Sequence, residues 1–348
     1  MDKQDIRDLE FDELRRELEA WGEPGFRAGQ VFGWLYRRGA RAFEDMSDLS
    51  RPLRERLAGR FVLDRPEEVE HLRDDDGAEK FLLKLGDDRL IETVLIPSPG
   101  RATVCVSSQV GCRFGCVFCA SGMPGFTRNL TAAEITNQAL HVREATGRPV
   151  THVVFMGMGE PLDNWENTAR SVRTLNSPAG LGIAARRILI STCGLLPGLE
   201  SLKTLGLQVE LAVSLHAATD ELRNRLVPVN RKYPLDKLIP ALRDYRRETG
   251  RLVTLEYVLI RGVNDSPTEA DRLTALARRI GAKVNIIPCS PVPGLGFEPV
   301  SRQEAVAFVR RLNAGRIRAV LRKSKGGGIR AACGQLAGRA AVSPKRGT

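Results

Sequence analysis

The first 60 residues carry apolar side chains at the spacing of amphipathic helices. The pattern predicts one helix from Phe11 to Trp21 and a second from Phe26 to Arg38, which Gly39 ends. A third helical segment follows Ser50. The chain is therefore expected to begin with a small helical unit.

Two alternating stretches come next, Lys80 to Leu85 and Arg89 to Ile96, separated by the turn residues Gly86-Asp87-Asp88. This arrangement predicts a β-hairpin. Alternation places Glu92 on a face that is otherwise aliphatic. A carboxylate there lies either at a sheet edge or in a desolvated position with a raised pKa, and the pattern leaves both alternatives open.

From about residue 101, strand patterns alternate with helix patterns. Several helices have recognisable starts, such as the capping boxes of Thr131 with Glu134 and of Ser301 with Glu304. Six strand-helix units in a row predict an α/β fold, with parallel strands inside a complete or partial barrel and helices outside. The six predicted strands are Thr103–Ser107, His152–Met156, Arg187–Thr192, Val209–His216, Val253–Ile260 and Lys283–Pro288.

Charge adds an expectation about partners. The 348 residues include 53 Lys and Arg against 42 Asp and Glu, a net charge of +11. This excess favours a polyanionic partner such as nucleic acid, although an Arg-rich composition alone gives the same balance. Basic residues are concentrated in the N-terminal helical region, where a solvated helical face is the alternative explanation: Arg27, Arg37, Arg38, Arg41, Arg51, Arg54 and Arg56.

The N-terminus is charged, and no apolar run approaches the ~18 residues of a membrane span. The sequence is therefore expected to be that of a cytoplasmic protein. In a reducing compartment its seven cysteines are not expected to form a structural disulfide framework. Three of the cysteines fall within a span of eight residues, a spacing that is typical of metal ligands: Cys112, Cys116 and Cys119.

Polar clusters fall at or just after the ends of the predicted strands. The three cysteines follow the first strand, Gly157-Met158-Gly159-Glu160-Pro161 follows the second, Ser191-Thr192-Cys193-Gly194 ends the third and Ser214-Leu215-His216 ends the fourth. In a parallel barrel these positions converge on the rim where barrel enzymes have their active sites. The pattern favours an enzyme.

The cysteine spacing allows one loop to wrap around a metal centre. A structural zinc site closes with four ligands, and Cys105 is the candidate for a fourth. Three thiolates on a four-iron cluster instead leave one iron open to another ligand.

The run Cys112-Arg113-Phe114-Gly115-Cys116-Val117-Phe118-Cys119 after the first barrel strand resembles the radical S-adenosylmethionine superfamily. The resemblance implies that the three cysteines hold a 4Fe-4S cluster whose open iron binds the amine and carboxylate of S-adenosylmethionine. It also implies that Gly159 and Glu160 hold the amino group of this cofactor. Ser191 and Ser214-Leu215-His216 would contact its ribose and carboxylate regions.

A narrower match covers nearly the whole chain. Three segments, Phe26-Arg27-Ala28-Gly29-Gln30, Val104-Cys105-Val106-Ser107-Ser108-Gln109-Val110-Gly111-Cys112 and Ala331-Ala332-Cys333-Gly334-Gln335-Leu336, resemble the RlmN/Cfr family of RNA adenine methyltransferases. The implied fold is a partial (β/α)6 radical SAM barrel with a small N-terminal helical domain and a connecting β-hairpin. The corresponding boundaries are 1–60 for an RNA-binding helical domain, 61–100 for the hairpin linker, 101–335 for the barrel and 336–348 for a basic tail.

The family's chemistry assigns roles to three further residues. By resemblance, Cys333 first takes a methyl group from S-adenosylmethionine and then carries it, after hydrogen abstraction, to C2 of an adenine. Glu92 removes the C2 proton and Cys105 attacks to release the RNA, which leaves a transient disulfide between Cys105 and Cys333. The implied substrates are 23S ribosomal RNA and the anticodon loop of transfer RNA. The expected protein is a monomer that takes electrons from a flavodoxin or ferredoxin.

One position departs from the family pattern, because Ser290 stands where asparagine usually contacts the cofactor. A serine side chain is shorter than that of asparagine and has fewer hydrogen-bonding groups.

Two alternatives to C2 methylation stay open. One is methylation at adenine C8, and the other is a zinc-containing RNA-binding protein without catalysis. Gly326-Gly327-Gly328 and Gly334, on either side of Cys333, are expected to make its segment mobile.

Overall fold

A computed structural model of the chain describes residues 3–337. Its strands are β1 Gln4–Asp5, β2 Phe61–Val62, β3 Glu67–Arg73, β4 Glu79–Lys84, β5 Leu90–Ser98, β6 Arg101–Cys105, β7 Gln109–Gly111, β8 Phe126–Asn129, β9 His152–Phe155, β10 Ile188–Thr192, β11 Glu210–Ser214, β12 Val253–Leu259, β13 Lys283–Pro288 and β14 Ala319–Leu321. Its α-helices are α1 Phe11–Ala20, α2 Phe26–Phe32, α3 Arg51–Arg60, α4 Ala132–Thr146, α5 Trp165–Asn176, α6 Leu196–Lys203, α7 Asp220–Leu226, α8 Leu235–Thr249, α9 Pro267–Ile280 and α10 Arg302–Ala314. The basic tail expected at 336–348 lies outside the described residues from residue 338 onwards.

One sheet of ten strands organises the molecule, in the order β14-β13-β12-β11-β10-β9-β6-β5-β4-β3. The strands from β14 to β6 are parallel, and β5, β4 and β3 continue the sheet in antiparallel fashion. Within residues 3–337 the two outer strands β14 and β3 do not pair, so the barrel is open. This arrangement confirms the expected α/β fold with a partial radical SAM barrel.

All six predicted barrel strands are present, with ends that differ by at most two residues. The predicted hairpin is also present as β4 and β5. Two strands of the ten-stranded sheet, β3 and β14, were not predicted from the sequence, nor were the short strands β1, β2, β7 and β8 outside it. Strand β3 is an exposed edge strand rich in charged residues, and β14 has three residues, so neither shows a clear alternation.

The N-terminal helices surround their own apolar core, to which Leu140 of α4 also contributes. The helix predicted from Phe26 to Arg38 is not α-helical throughout, because a π-helix over Gly33–Arg38 follows α2. Gly39 ends it at a φ of 74°, which glycine adopts without steric conflict. A π turn is wider than an α-helical turn. In this segment the adjacent residues Leu35 and Tyr36 are both buried.

Ion pairs attach the N-terminal helices to the outer layer of the barrel. Arg170 of α5 donates two hydrogen bonds to the Glu13 carboxylate of α1, at 2.5 and 3.0 Å. Arg65 donates to Glu144 of α4 at 2.6 Å. The guanidinium of Arg7, which is fully buried, donates to the Ala40 and Asp64 carbonyls at 3.2 Å each. The helical unit is thus held against α4 and α5.

Across residues 3–337, no helix combines the length and the apolar character needed to cross a membrane.

The two phenylalanines at the ends of α2 provide a matched stability test. Phe32 is fully buried and its ring centroid lies 5.2 Å from that of Phe11, whereas Phe26 is 61% exposed. We expect Phe32→Ala to lower the free energy of unfolding by about 3–5 kcal/mol because it empties a packed site. Phe26→Ala is expected to change it by less than about 0.5 kcal/mol. Urea unfolding followed by circular dichroism measures both, and equal losses would contradict the packing described here.

Candidate active site

A cavity of about 140 Å³ opens at the carboxyl ends of the parallel strands. Because parallel strands all end on the same side, the loops that follow them meet there. Each polar cluster expected at the rim contributes to its wall. The lining residues include Cys112, Cys116, Cys119, Gly157, Gly159, Glu160, Ser191, Thr192, Cys193, Ser214, His216 and Cys333.

The three-cysteine loop lies between β7 and β8, and its thiols line the cavity. The Cys119 N–H donates to the Cys116 carbonyl at 3.0 Å, which folds the loop back on itself. Gly111 is required at the loop entrance, since its φ is 75° and a Cβ there would overlap the Gly125 carbonyl oxygen. Burial raises the pKa of Cys112 to about 12 and also raises that of Cys116.

This donor set suits a cluster of several metal atoms better than a single ion. A zinc ion holds thiolates at about 2.3 Å from one point. Among residues 3–337, no three His, Cys, Asp or Glu side chains are arranged to hold one ion. Thiolates on an iron-sulfur cluster bind different iron atoms, so three thiols that line one cavity without converging on a single ion fit that group.

Arg223 is a buried cation that the sequence analysis missed. It is fully buried and donates to the Cys193 carbonyl at 2.6 Å, the Leu215 carbonyl at 3.2 Å and the Asn230 side chain at 2.6 Å. These bonds join the ends of β10 and β11 and offset the cost of burying the charge, although burial lowers the pKa of the guanidinium. Its positive charge also acts on the Cys116 thiol, where it opposes the rise in pKa.

The turn after β9 needs glycine at two positions, because its backbone packs closely against residues 106–109. A Cβ on Gly157 would lie 2.7 Å from the Val106 carbonyl oxygen. A Cβ on Gly159 would lie 2.6 Å from the Gln109 side chain, and the φ of Gly159 is 100°. Any larger residue at either position would push the turn away from the segment 106–109, which follows the first barrel strand.

Glu160 follows this turn and presents a buried carboxylate. It accepts the N–H groups of Leu162 at 3.1 Å and Cys193 at 2.7 Å. Burial raises the pKa of Glu160, and these hydrogen bonds oppose the rise. A carboxylate in a cavity wall is a suitable acceptor for an ammonium group.

His216 is held as a neutral hydrogen-bond donor. Burial lowers its pKa to about 3, and its Nδ1 accepts the Val258 N–H at 3.0 Å. A neutral imidazole that accepts at Nδ1 carries its hydrogen on Nε2. Phe118 packs edge-on against the ring at a centroid distance of 4.6 Å, and the φ of His216 is 59°. Such strain in a non-glycine residue is typical of functional sites.

Ser191 and Ser214 line the same cavity as His216. Leu215 differs from its neighbours, because its side chain packs into the main hydrophobic core and only its backbone faces the strand ends. Ser290 lies two residues after β13 and is not among the described residues that line the cavity. The structure therefore brings together five of the seven residues expected to bind the cofactor.

Cys105 and Cys333 lie near each other although they are distant in sequence. Cys105 ends β6 opposite Val154 of β9, and burial raises its pKa to about 12, to which the Cys333 sulfur also contributes. Cys333 lines the cavity and is an exposed residue, while the surrounding protein still desolvates its thiol. Burial raises the pKa of Cys333, and Arg322 opposes the rise.

Arg322 and Glu256 form a charged pair near these sulfurs, and the sequence analysis identified neither residue. Their closest atoms, Nη1 and Oε2, are 3.6 Å apart. Asn285 donates to the other Glu256 oxygen at 2.9 Å, while Oε2 is buried without a hydrogen bond. Burial raises the pKa of Glu256. A single acidic residue in an aliphatic strand was the available signal, as it was for Glu92.

Glu92 lies inside the sheet, since β5 pairs with β4 on one side and β6 on the other. The sheet-edge alternative is therefore wrong. Its carboxylate is 5% exposed, lies 3.0 Å from the Lys80 ammonium and accepts the Ala337 N–H at 2.6 Å. Glu92 is not among the described residues that line the cavity, and it contacts the segment that carries Cys333.

All seven cysteines are free thiols in this structure. The disulfide expected between Cys105 and Cys333 is therefore absent from the state described, in which both sulfurs are reduced. The expectation concerned a transient product of the reaction.

Two family profiles match the chain. The Radical SAM superfamily matches residues 106–273, and the ribosomal RNA large subunit methyltransferase N-terminal domain matches residues 4–63. The first match contains the three-cysteine loop and the rim, and the second contains the N-terminal helices.

Several relatives resemble the chain over nearly its full length. A probable dual-specificity RNA methyltransferase RlmN from Moorella thermoacetica is 49% identical over 341 residues, covering 95% of this chain and 96% of the relative. The dual-specificity RNA methyltransferase RlmN from Syntrophobacter fumaroxidans is 45% identical, covering 95% of this chain and 97% of the relative. The crystal structure of a radical SAM methyltransferase from Sphaerobacter thermophilus superposes with a TM-score of 0.90 at 48% identity and covers 96% of this chain and 99% of its own. Because these relatives match the chain at 45–49% identity over nearly its full length, the chain belongs to the RlmN/Cfr family of the radical SAM superfamily.

Proposed function

We propose that this protein is a radical SAM methyltransferase that methylates C2 of an adenine in 23S ribosomal RNA and in the anticodon loop of transfer RNA. The observation that carries the proposal is the meeting of two distant thiols, Cys105 and Cys333, beside a cavity lined by three further cysteines. A methyltransferase that acts directly on a nucleophile has no need of this second pair of thiols. Adenine C2 has no lone pair to attack a methyl donor, so the methyl group needs a carrier on the protein.

The cofactors of this family are a 4Fe-4S cluster and S-adenosylmethionine. In our proposal Cys112, Cys116 and Cys119 hold the cluster, and the Glu160 carboxylate receives the ammonium group of S-adenosylmethionine. Ser191, Ser214 and the Nε2–H of His216 offer hydrogen bonds to the rest of that molecule, and Gly159 allows its close approach. When bound, the two cofactors would supply methyl groups, hydrogen-atom abstraction and an acceptor for the one unpaired electron that is left on the protein-RNA adduct. Leu215 contributes through its backbone, and Ser290 takes the place of the family's asparagine with a shorter side chain.

Cys333 is the proposed methyl carrier because it lines the cavity and is an exposed residue. Once its methyl carbon is bonded to adenine C2, protein and RNA form one covalent adduct. Glu92 then accepts the C2 proton. The Cys105 sulfur attacks that of Cys333, so that a disulfide forms while the bond between Cys333 and the carbon breaks. The carbon keeps the electron pair and takes up a proton to complete the methyl group.

We assign residues 1–60 to an RNA-binding helical domain, 61–100 to a linker and 101–335 to the catalytic barrel. The linker strands β4 and β5 continue the barrel sheet. The boundary at residue 100 therefore divides the sequence, while linker and barrel pack as one sheet. A monomeric protein served by a flavodoxin or ferredoxin completes the proposal. The target adenine must leave its stack to reach the cavity, which is easiest in a single-stranded loop.

The product of the reaction tests the proposed chemistry. We expect anaerobic incubation with ribosomal and transfer RNA, reductant and S-adenosylmethionine to yield 2-methyladenosine. Mass spectrometry of the digested RNA against 2-methyl and 8-methyl standards measures this directly. A product that matches the 8-methyl standard would establish the alternative regiochemistry, and no methylated adenosine would contradict the proposal.

Two cysteine variants separate the roles of the thiols. We expect Cys105→Ala to accumulate the covalent protein-RNA adduct, because the thiol that releases it is missing. Cys333→Ala is expected to form no adduct, because the methyl carrier is missing. Denaturing gels with labelled RNA detect the adduct, and Cys289→Ala serves as a control at a buried thiol that is not among the described residues lining the cavity. The same behaviour in the Cys105 and Cys333 variants would overturn the assignment.

Salt dependence tests the basic N-terminal surface. Arg51 pairs with Glu55 at 2.8 Å, whereas Arg54 and Arg56 have no carboxylate partner among the described residues. We expect RNA affinity to fall at least about tenfold between 50 and 200 mM salt. Arg54→Gln and Arg56→Gln should each reduce the salt slope by about 1 if they contact phosphate, and Arg51→Gln should reduce it less. Affinity that does not change with salt would exclude this surface as an RNA-binding determinant.

A further inference from the structure

The segment that carries Cys333 is fixed at both ends by hydrogen bonds. We call residues 326–337 the Cys333 strap. At its start, the N–H groups of Gly326 and Gly328 donate to the carboxylates of Asp76 and Asp74, each at 2.9 Å. Both aspartates belong to the turn between β3 and β4. The glycines expected to confer mobility thus make a turn that docks onto the β3–β4 hairpin.

The middle of the strap is bonded to the cluster-binding loop. The Gly334 carbonyl accepts the Ala120 N–H at 2.7 Å, and the Leu336 carbonyl accepts the Ser121 hydroxyl at 2.6 Å. Ala120 directly follows the third cysteine of the loop. These bonds place Cys333 in the cavity wall next to the loop that would hold the cluster.

The end of the strap is bonded to the ion pair of Lys80 and Glu92. The Lys80 ammonium lies 3.0 Å from one Glu92 oxygen and donates to the Arg330 carbonyl at 3.4 Å. The other Glu92 oxygen accepts the Ala337 N–H at 2.6 Å. Lys80, Glu92 and Ala337 are all buried. In a buried position a hydrogen bond to a charged acceptor is stronger than it is in water.

We propose that Glu92 has a second role as the anchor of the Cys333 strap, and that its carboxylate becomes available to a substrate proton only after Ala337 has released it. The anchoring half of this inference stands on the contacts alone, whereas the release half rests on the proposed function of Glu92 as a base. Its consequence is an order of events. With the strap docked, Cys333 faces the cavity and Glu92 is occupied, so proton removal follows a shift of the strap.

The anchor is tested by hydrogen-deuterium exchange of the strap in the full-length protein, with and without its reconstituted cluster. Glu92→Ala removes the acceptor for the Ala337 N–H, so we expect peptides from residues 331–337 to exchange about tenfold faster. Glu92→Gln keeps an oxygen that accepts this hydrogen bond, and its exchange is expected to stay within about twofold of the parent protein. Glu70→Ala, at an exposed glutamate on β3, is the matched control and is expected to leave exchange unchanged.

A second variant guards against general unfolding in Glu92→Ala. Ala337→Pro removes the N–H donor and leaves the Lys80 and Glu92 side chains intact, so it should also accelerate exchange in the strap. Exchange in β12, which is buried along its whole length, should remain slow in both variants. Unchanged strap exchange in Glu92→Ala and Ala337→Pro would overturn the anchoring role.

The two glutamate variants also separate this inference from the proposed function. A Glu92→Gln protein with a protected strap but no RNA methylation supports both roles. The same variant with full methylation would refute Glu92 as the base, and the release step with it, while leaving the anchor intact. An inactive Glu92→Ala protein whose strap exchanges at the parent rate would refute the anchor and leave the base.

Discussion

Parallel pairing of the strands from β6 to β14 is the constraint on which the site depends, because it directs every carboxyl end to one rim. Residues separated by more than 200 positions in sequence then line one cavity. The loops at this rim are held together by close contacts in which a larger side chain would not fit. Gly157 and Gly159 pack closely against neighbouring chain, and Arg223 joins the ends of β10 and β11 through buried hydrogen bonds.

Burial of polar groups gives the cavity its chemical character. The carboxylate of Glu160, the imidazole of His216 and the guanidinium of Arg223 are all buried, and each has hydrogen-bond partners that fix its orientation. Burial also raises the pKa of the thiols of Cys105 and Cys333. A site that keeps its polar groups fixed suits radical chemistry, in which reactive species must be protected from side reactions.

The Cys333 strap connects the parts of this site mechanically. Its bonds reach the β3–β4 turn, the cluster-binding loop and the pair of Lys80 and Glu92. The antiparallel strands that extend the barrel sheet are therefore more than a linker, because they supply the surface on which the strap docks.

Regular patterns over several residues were sufficient to predict the six barrel strands, the hairpin, the α/β class and the convergence of the rim clusters. The three-cysteine spacing also indicated the metal-binding loop without any structure. The family resemblance implied that Cys105 and Cys333 act together, and the structure places them near each other. Only tertiary structure decided the burial of Arg223, the position of Arg322 beside Glu256, the interior position of Glu92 and the docking of the strap. The reason is physical, because periodicity and spacing report on near neighbours in the chain. A hydrogen bond between residues 92 and 337 leaves no such local pattern.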